Sequence, residues 1–284
     1  MTHPATPKTW FITGTSTGFG LSFARHALER GDNVVATARR PQALASLVAS
    51  APDRVLAVAL DVTAPGAPQA AVDAALARFG RIDVVVNNAG YGSVGAVEET
   101  PEHELRAQLE TNFFGAAAVI RAVLPTLRAQ RSGAIVNVSS MGGNLSFAGF
   151  GAYSASKFAL EGLSEALAQE VAPFGIKVLI VEPGAFRTAF AGSALKRMPE
   201  IAAYRETAGA SRAFADGMHG TQAGDPDKAA RAVAQALDAP VTPLRLQLGH
   251  DAIDGVRAHA QQLLQDLAAW EAVGRATVYD DQAA

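Results

Sequence analysis

The 284-residue sequence predicts an α/β protein built on one doubly wound parallel sheet of about seven strands, with helices on both faces. Two observations carry this. Short, nearly all-apolar runs alternate with longer alanine- and leucine-rich stretches through the first two-thirds of the chain, and a glycine turn directly follows the first run. Strands buried on both faces lack the polar alternation of a half-exposed sheet, so they read as continuous apolar runs.

In chain order the strands fall at 9–13, 33–37, 55–60, 82–87, 134–139 and 177–182, and 244–248 supplies a seventh. The stretches 19–30, 67–79, 102–129 and 153–172 have helical length and composition. Helical connections between parallel strands make right-handed crossovers. After Pro183-Gly184 the pattern stops until Gly224, with no strand signal and one amphipathic helix at 194–207. Phe186, Phe190, Leu195, Met198, Ile201, Tyr204 and Phe214 are too many apolar side chains for a solvated linker, so 188–224 reads as a substrate lid. Asp225-Pro226-Asp227 then opens a helix to Leu237, because proline and acid both suit a first helical turn. A final amphipathic helix at 253–270 precedes a frayed end. The whole reads as a single domain, 1–284, with an N-terminal tail at 1–8 and a C-terminal helix and tail at 250–284.

Composition removes several classes of function. Hydrophobic residues make up 49% and charged residues 18%, enough core material for a folded domain, and the net charge of −3 comes with no basic run to neutralise nucleic-acid phosphates. The absence of cysteine excludes disulfides and thiolate chemistry. Six histidines lack ligand spacing, and His103-Glu104 has no second histidine to complete a zinc motif, so no metal site is expected. No apolar run approaches the ~20 residues that span a bilayer, and 1–8 lacks the basic-then-apolar order of a signal peptide. A cytoplasmic protein that does not bind membranes is the expectation.

Two motifs carry chemistry. Gly14, Gly18 and Gly20 occupy the turn between the first strand and the first helix, where glycine lets backbone approach a pyrophosphate and the helix N-terminus supplies free N–H donors. The same turn, Gly14-Thr15-Ser16-Thr17-Gly18, also matches a serine-hydrolase nucleophile elbow. No earlier strand exists to supply that elbow's second oxyanion donor, which disfavours the reading. The second motif pairs Tyr153 with Lys157, four residues on along one helix, so both project from the same face. A phenol has an ordinary pKa of about 10, and charging it near pH 7 takes roughly 4 kcal/mol, a task suited to a fixed ammonium.

With Asn87-Asn88-Ala89-Gly90 after the fourth strand, Ser140 thirteen residues before Tyr153, and Pro183-Gly184 followed by Thr188, the chain resembles the short-chain dehydrogenase/reductase family. The resemblance runs from about Thr9 to Thr188. It implies a Rossmann-like domain that binds a nicotinamide dinucleotide and exchanges hydride with a carbonyl or alcohol carbon. Tyr153 would be the general acid or base, Lys157 would lower its pKa and bind the nicotinamide ribose, Ser140 would polarise the substrate carbonyl, and Asn112 would hold a water linking the lysine to solvent. Ser139 would face away. On the cofactor side the resemblance implies Gly14, Ser16, Thr17, Gly18, Phe19 and Gly20 at the phosphates, and Asp61 and Val62 at the adenine. It also implies Asn88, Ala89 and Gly90 along the adenosine ribose, and Pro183, Gly184 and Thr188 at the carboxamide.

The choice of dinucleotide falls at the end of the second strand, where the family's NAD enzymes usually carry an acid at the position of Ala38. Here Arg39 offers a guanidinium fork to a 2′-phosphate, so NADP(H) is expected over NAD(H). The family's other NADP-favouring position, just before the second glycine, holds Thr17 instead of a base. Met141, Phe147, Phe150, Phe186 and Phe190 point to a hydrophobic ketone or secondary alcohol, steroid-, retinoid- or 3-oxoacyl-like. The long helices 102–129 and 153–172 match the family's four-helix interface and imply a homodimer or homotetramer. The alternative function is a non-catalytic NADP(H) sensor on the same fold.

Overall fold

The computed structural model describes residues 6–279. In chain order its elements are β1 (Thr9–Ile12), α1 (Gly18–Glu29), β2 (Asn33–Ala38), α2 (Ala45–Ser50), β3 (Val55–Ala59), α3 (Ala67–Phe79), β4 (Val84–Asn87) and β5 (Gly92–Val94). There follow α4 (Glu102–Leu109), α5 (Gly115–Gln130), β6 (Gly133–Val138), α6 (Gly151–Val171), β7 (Ile176–Pro183), β8 (Leu195–Arg197), α7 (Ala208–Met218), α8 (Pro226–Asp238), β9 (Arg245–Leu248) and α9 (His250–Arg275). Seven strands form one parallel sheet in the order β3-β2-β1-β4-β6-β7-β9.

Strand residues alternate between two apolar layers. Trp10, Ile12, Val34, Ala36, Val84, Val86, Val136 and Leu179 pack with residues of α1 and α8. Phe11, Val35, Val85, Ile135 and Val178 pack with residues of α3, α5 and α6. Most strand positions are therefore apolar, as a sheet covered on both faces requires. The order reverses between β1 and β4, which opens a crevice beyond their carboxyl ends. Both the glycine turn and Asn88-Ala89-Gly90 leave the sheet there.

Local chemistry sets several boundaries. Asp225 caps α8, its Oδ1 accepting from the Asp227 and Lys228 N–H groups at 2.8 and 3.3 Å, ahead of Pro226. The helix expected at 102–129 is divided: between α4 and α5, Glu110–Phe114 widens into a π turn that contains Asn112. Such turns concentrate at functional sites.

The segment after Pro183 corrects two expectations. No helix spans 194–207; Leu195–Arg197 instead pairs in parallel with Gly92–Val94 to form a separate two-stranded sheet, and Ala202–Tyr204 makes a single 3₁₀ turn. Pro199 lacks the N–H that a continuous helix needs. The helix lies later, at α7. An internal ion pair pins this segment: Arg212 of α7 meets Glu99 Oε2 at 2.7 Å, while Glu99 also accepts from the Ala96 and Ile201 N–H groups at 2.6 and 2.7 Å. Both side chains are buried, and these donors, led by the Ile201 N–H, outweigh burial and hold the Glu99 carboxyl below its ordinary pKa. Arg212→Met would strand that carboxylate and is expected to cost about 2 kcal/mol, read as faster amide exchange across 188–224.

The final helix is longer than 253–270 and is not packed as an amphipathic helix on its own chain. Ala252 is its one buried residue, and Leu263, Leu264, Leu267 and Trp270 are exposed. The parts of the expected tails at 1–5 and 280–284 lie outside the described residues.

Candidate active site

The sequence builds the crevice from short-range constraints. Gly14 and Gly18 have φ of +66° and +57°, open to glycine at little cost. A Cβ on Gly20 would collide with the Gly14 carbonyl, and one on Gly14 would lie 3.0 Å from Ala89 Cα. The turn is locked to its neighbours by Thr13, whose Oγ1 accepts from the Asn88 and Ala89 N–H groups at 2.9 Å each, and by the Asn88 amide, which donates to the Thr13 and Gly14 carbonyls at 2.9 and 3.0 Å. Thr15 Oγ1 donates to the Ile12 carbonyl at 2.8 Å.

Helix α1 begins at Gly18 with an extended Thr17 whose side chain makes no cap bond, so the first-turn N–H groups keep their donors for an anion. Close backbone approach, positive φ and free donors together fit a dinucleotide pyrophosphate. Ser16 is half-buried and Thr17 exposed beside this turn. Phe19 packs on Phe186 and Phe23, with ring centroids 5.1 and 6.2 Å apart. Phe186 therefore belongs to the packing on α1 and is not a substrate wall, which corrects its placement in the pocket.

The expected adenosine side lies along the ends of β2 and β3. Arg39 is exposed just beyond buried Ala38 and forms no hydrogen bond or ion pair among the described residues. Asp61 Oδ1 accepts from the Thr63 hydroxyl and N–H at 2.7 and 3.0 Å; these bonds, with a smaller contribution from Arg39, lower its pKa. Val62 is buried against Gly115.

At the other end of the crevice, Tyr153 and Lys157 rise from α6 with the Lys157 Nζ 5.8 Å from the tyrosine ring centroid. Both are buried, at 8% and 7% exposure. Burial pushes the Tyr153 phenol up to about 12, opposed by its hydrogen bond with Ser140. Burial pulls Lys157 down to about 8, opposed by the charge of Glu161. The ammonium donates to the Val138 carbonyl at 2.8 Å. Ser140 lies just past β6, capping the Met141–Gly143 turn, and accepts from the Gly142 N–H at 3.0 Å; a Cβ on Gly142 would stand 3.3 Å from both Ser140 Oγ and Tyr153 Cε1, so glycine makes room for the pair. The Ser139 hydroxyl points instead toward Glu161.

Asn112 is held from three sides: its amide donates to the Tyr91 carbonyl and Ser156 Oγ at 3.0 Å each, and its Oδ1 accepts from the Tyr91 N–H at 3.1 Å. A Cβ on Gly90 would lie 3.0 Å from Asn112 Oδ1 and 3.8 Å from Lys157 Nζ. Gly90 thus joins the glycine-turn side of the crevice to the tyrosine side. Thr188 closes the distance again, lying 3.3 Å from the position of a Gly18 Cβ.

The segment after β7 covers the phenol. Phe190 lies over Tyr153 with centroids 5.3 Å apart, while Phe150 packs beside it against Val94 and Leu195. Phe147 is exposed, and Met141 packs against Gly255 of α9. One contact had no sequence signal: Asp251, in the first turn of α9, accepts from the Ala185 N–H at 2.6 Å and fills the space a side chain at Gly184 would need. Thr13 read only as the end of the first strand, and its hydroxyl proves to be the brace between the β1 and β4 turns.

The described residues contain no cluster of histidine and acidic side chains able to hold a metal, and no helix long and apolar enough to cross a membrane. Comparison with known proteins agrees with the architecture. Residues 8–199 match the family model for short chain dehydrogenases. The chain is 43% identical to oxidoreductase BOA17 of Botryotinia fuckeliana, over 95% of this chain and 99% of that protein. It is 46% identical to a 3-ketodihydrosphingosine reductase of Bacteroides thetaiotaomicron, over 65% of this chain and 66% of that one. A crystal structure of a short-chain dehydrogenase from Streptomyces avermitilis superposes with a TM-score of 0.92 at 52% identity, covering 97% of this chain and all 100% of that one. At 26% identity, a short chain dehydrogenase/reductase from Burkholderia phymatum in complex with NAD has a TM-score of 0.80, covering 91% and 95% of the two chains. An alcohol dehydrogenase from Thermococcus sibiricus complexed with 5-hydroxy-NADP has a TM-score of 0.71 at the same 26%, covering 86% and 96%. By its matched length, its relatives and its sheet, this chain belongs to the short-chain dehydrogenase family and is an oxidoreductase.

Proposed function

We propose that the protein is an NADP(H)-dependent reductase of hydrophobic ketones, acting reversibly on the matching secondary alcohols within one domain. The observation that carries this reading is the convergence of Ser140, Tyr153, Lys157 and Asn112 beside the glycine turn, joined through Gly90. Phe190 and Phe150 give the site an apolar cover, and the similarity to a 3-keto reductase favours a ketone on a long apolar substrate.

When bound, the nicotinamide supplies or accepts hydride. Gly14, Ser16, Thr17, Gly18, Phe19 and Gly20 would hold the pyrophosphate, Arg39 the 2′-phosphate, and Asp61 and Val62 the adenine. Asn88, Ala89 and Gly90 would border the adenosine ribose, and Pro183, Gly184 and Thr188 the carboxamide. Ser140 donates to the substrate carbonyl oxygen and fixes it beside the phenol. Tyr153 gives its proton to the oxygen as the carbonyl is reduced. The high pKa of the buried phenol keeps that proton in place until it is needed; the Lys157 ammonium then stabilises the phenolate. For alcohol oxidation the phenolate is the base, so oxidation is expected to rise with pH through the tyrosine's ionisation and reduction to fall over the same range. Initial rates in both directions from pH 6 to 10 check this sign.

Lys157→Met is expected to weaken both turnover and NADPH affinity, since one ammonium serves phenolate and ribose. Steady-state kinetics with a cofactor titration separates the roles: loss of one alone would assign the lysine to that role. The exposed Phe114 and Phe158, on the α4–α5 and α6 faces, support a homodimer or homotetramer. Light scattering should give an oligomer mass, and a concentration-independent monomer would overturn this. The function itself is tested by screening NADPH oxidation against ketones, aldehydes and acyl thioesters, with the reverse assay on alcohols.

A further inference from the structure

Behind the tyrosine face, α6 turns a second ionisable group into the interior. Glu161 follows Lys157 by one helical turn and is buried, at 4% exposure. Glu182 of β7 faces it and is completely buried, at 0%. A single guanidinium serves both: Arg245 of β9 lies 2.9 Å from Glu161 Oε2 and 3.2 Å from Glu182 Oε1, while its Nη2 also meets Glu165 Oε1 at 2.8 Å. Gln247 donates to Glu182 Oε2 at 2.8 Å. The charged groups around Glu161 are thus Lys157 and Glu165 on its own helix, Glu182 on β7 and Arg245 on β9; the Met141–Gly143 turn contributes no ionisable group.

Three carboxyls around one guanidinium favour a retained proton. A side-chain hydrogen bond joins Glu161 to Glu182, which gives that proton a place between them. Glu161 also supports the turn that follows Ser140, since a Cβ on Gly143 would lie 2.9 Å from its Oε1 and 2.5 Å from Ser139 Oγ. One carboxyl therefore touches the turn after Ser140 and lies one helical turn from Lys157.

We infer that Glu161 is a positioning residue for the reaction: its carboxylate, poised by Glu182 and Arg245, holds Lys157 in its charged form and ties that charge to the turn carrying Ser140. This rests on the reading of Lys157 as the group that stabilises the Tyr153 phenolate. The order of ionisation suits the role. Burial first, and the Glu182 carboxylate in addition, push Glu161 up to about 7, and burial pulls Lys157 down to about 8. As pH rises, the carboxylate's charge is in place before the ammonium loses its proton.

The test is a titration of the protein labelled with ¹³C at lysine Cε and followed by NMR, with no cofactor or substrate present. The chain has five lysines, Lys8, Lys157, Lys177, Lys196 and Lys228, and the Lys157→Met variant identifies the relevant signal. In the wild type the Lys157 signal should show a minor inflection near pH 7 from Glu161 and its own midpoint above it. Glu161→Gln should abolish the minor inflection and lower the midpoint by about 1 pH unit or more. Glu182→Gln removes the like charge, so the inflection should move to lower pH and the midpoint should not fall. An unmoved midpoint in Glu161→Gln, or an equal fall in both variants, would overturn the inference. Should Glu161→Gln fail to fold, the wild type decides alone, and a single inflection is the contrary result. Because no turnover is read, failure here is separable from failure of the proposed reductase activity.

Discussion

Tyr153→Phe is expected to lower turnover by about 10²-fold or more while NADPH binds nearly as before. The substitution keeps the ring that packs under Phe190 and removes only the hydroxyl that exchanges a proton. With burial pushing that hydroxyl up to about 12, charging it near pH 7 takes on the order of 7 kcal/mol, more than a free phenol requires. Closing that gap is the task assigned to Lys157 and the bound nicotinamide. Single-turnover rates and a fluorescence titration of NADPH check the two halves of the expectation, and retained turnover would remove Tyr153 as the acid.

Cofactor choice follows from one charge. A hydrogen bond to an ion is worth about 1.5–3 kcal/mol, so Arg39 should give roughly a 10- to 150-fold preference for NADPH over NADH in kcat/KM. Its guanidinium is exposed and makes no competing bond among the described residues. The double change Ala38→Asp with Arg39→Leu removes the fork and supplies an acceptor for a ribose hydroxyl. It should reverse the preference in kcat/KM and affect kcat at saturating cofactor less, because the 2′-phosphate lies far from the reacting carbon and contributes mainly to binding. Equal use of both cofactors by the wild type, or an unmoved ratio in the double variant, would reduce Arg39 to a surface charge.

Features with a local period were legible in the sequence. Seven strands read as apolar runs because both faces of the sheet are covered, and Tyr153 and Lys157 share a face because a helix repeats nearly every four residues. The glycine turn showed itself through residues whose missing Cβ is needed for close approach. What escaped lacks such a period. Leu195, Met198, Ile201 and Tyr204 fall at three-residue steps that imitate a helix, but Pro199 interrupts it and Leu195 pairs with Gly92 across the fold. A three-residue strand such as β5 has too few positions to show alternation. Asn112 in the π turn is held by hydrogen bonds to Tyr91 and Ser156, which lie 21 and 44 residues away. Glu99 with Arg212 and Glu161 with Arg245 are 113 and 84 residues apart, so no window of sequence joins them. The final helix shows the converse: its apolar residues were visible, but its own chain leaves them exposed.

Hydride transfer from the nicotinamide to a ketone can be followed isotopically. The purified protein is incubated with NADPH carrying two deuterium atoms at nicotinamide C4 and with a panel of hydrophobic ketones, and the alcohols are examined by mass spectrometry and NMR. Hydride transfer predicts one deuterium at the carbinol carbon for each NADPH consumed, with about 10²-fold less labelled alcohol from Tyr153→Phe at equal time. Binding of NADPH without its consumption across the panel, as a non-catalytic sensor would show, or alcohol formed without deuterium, would contradict the account.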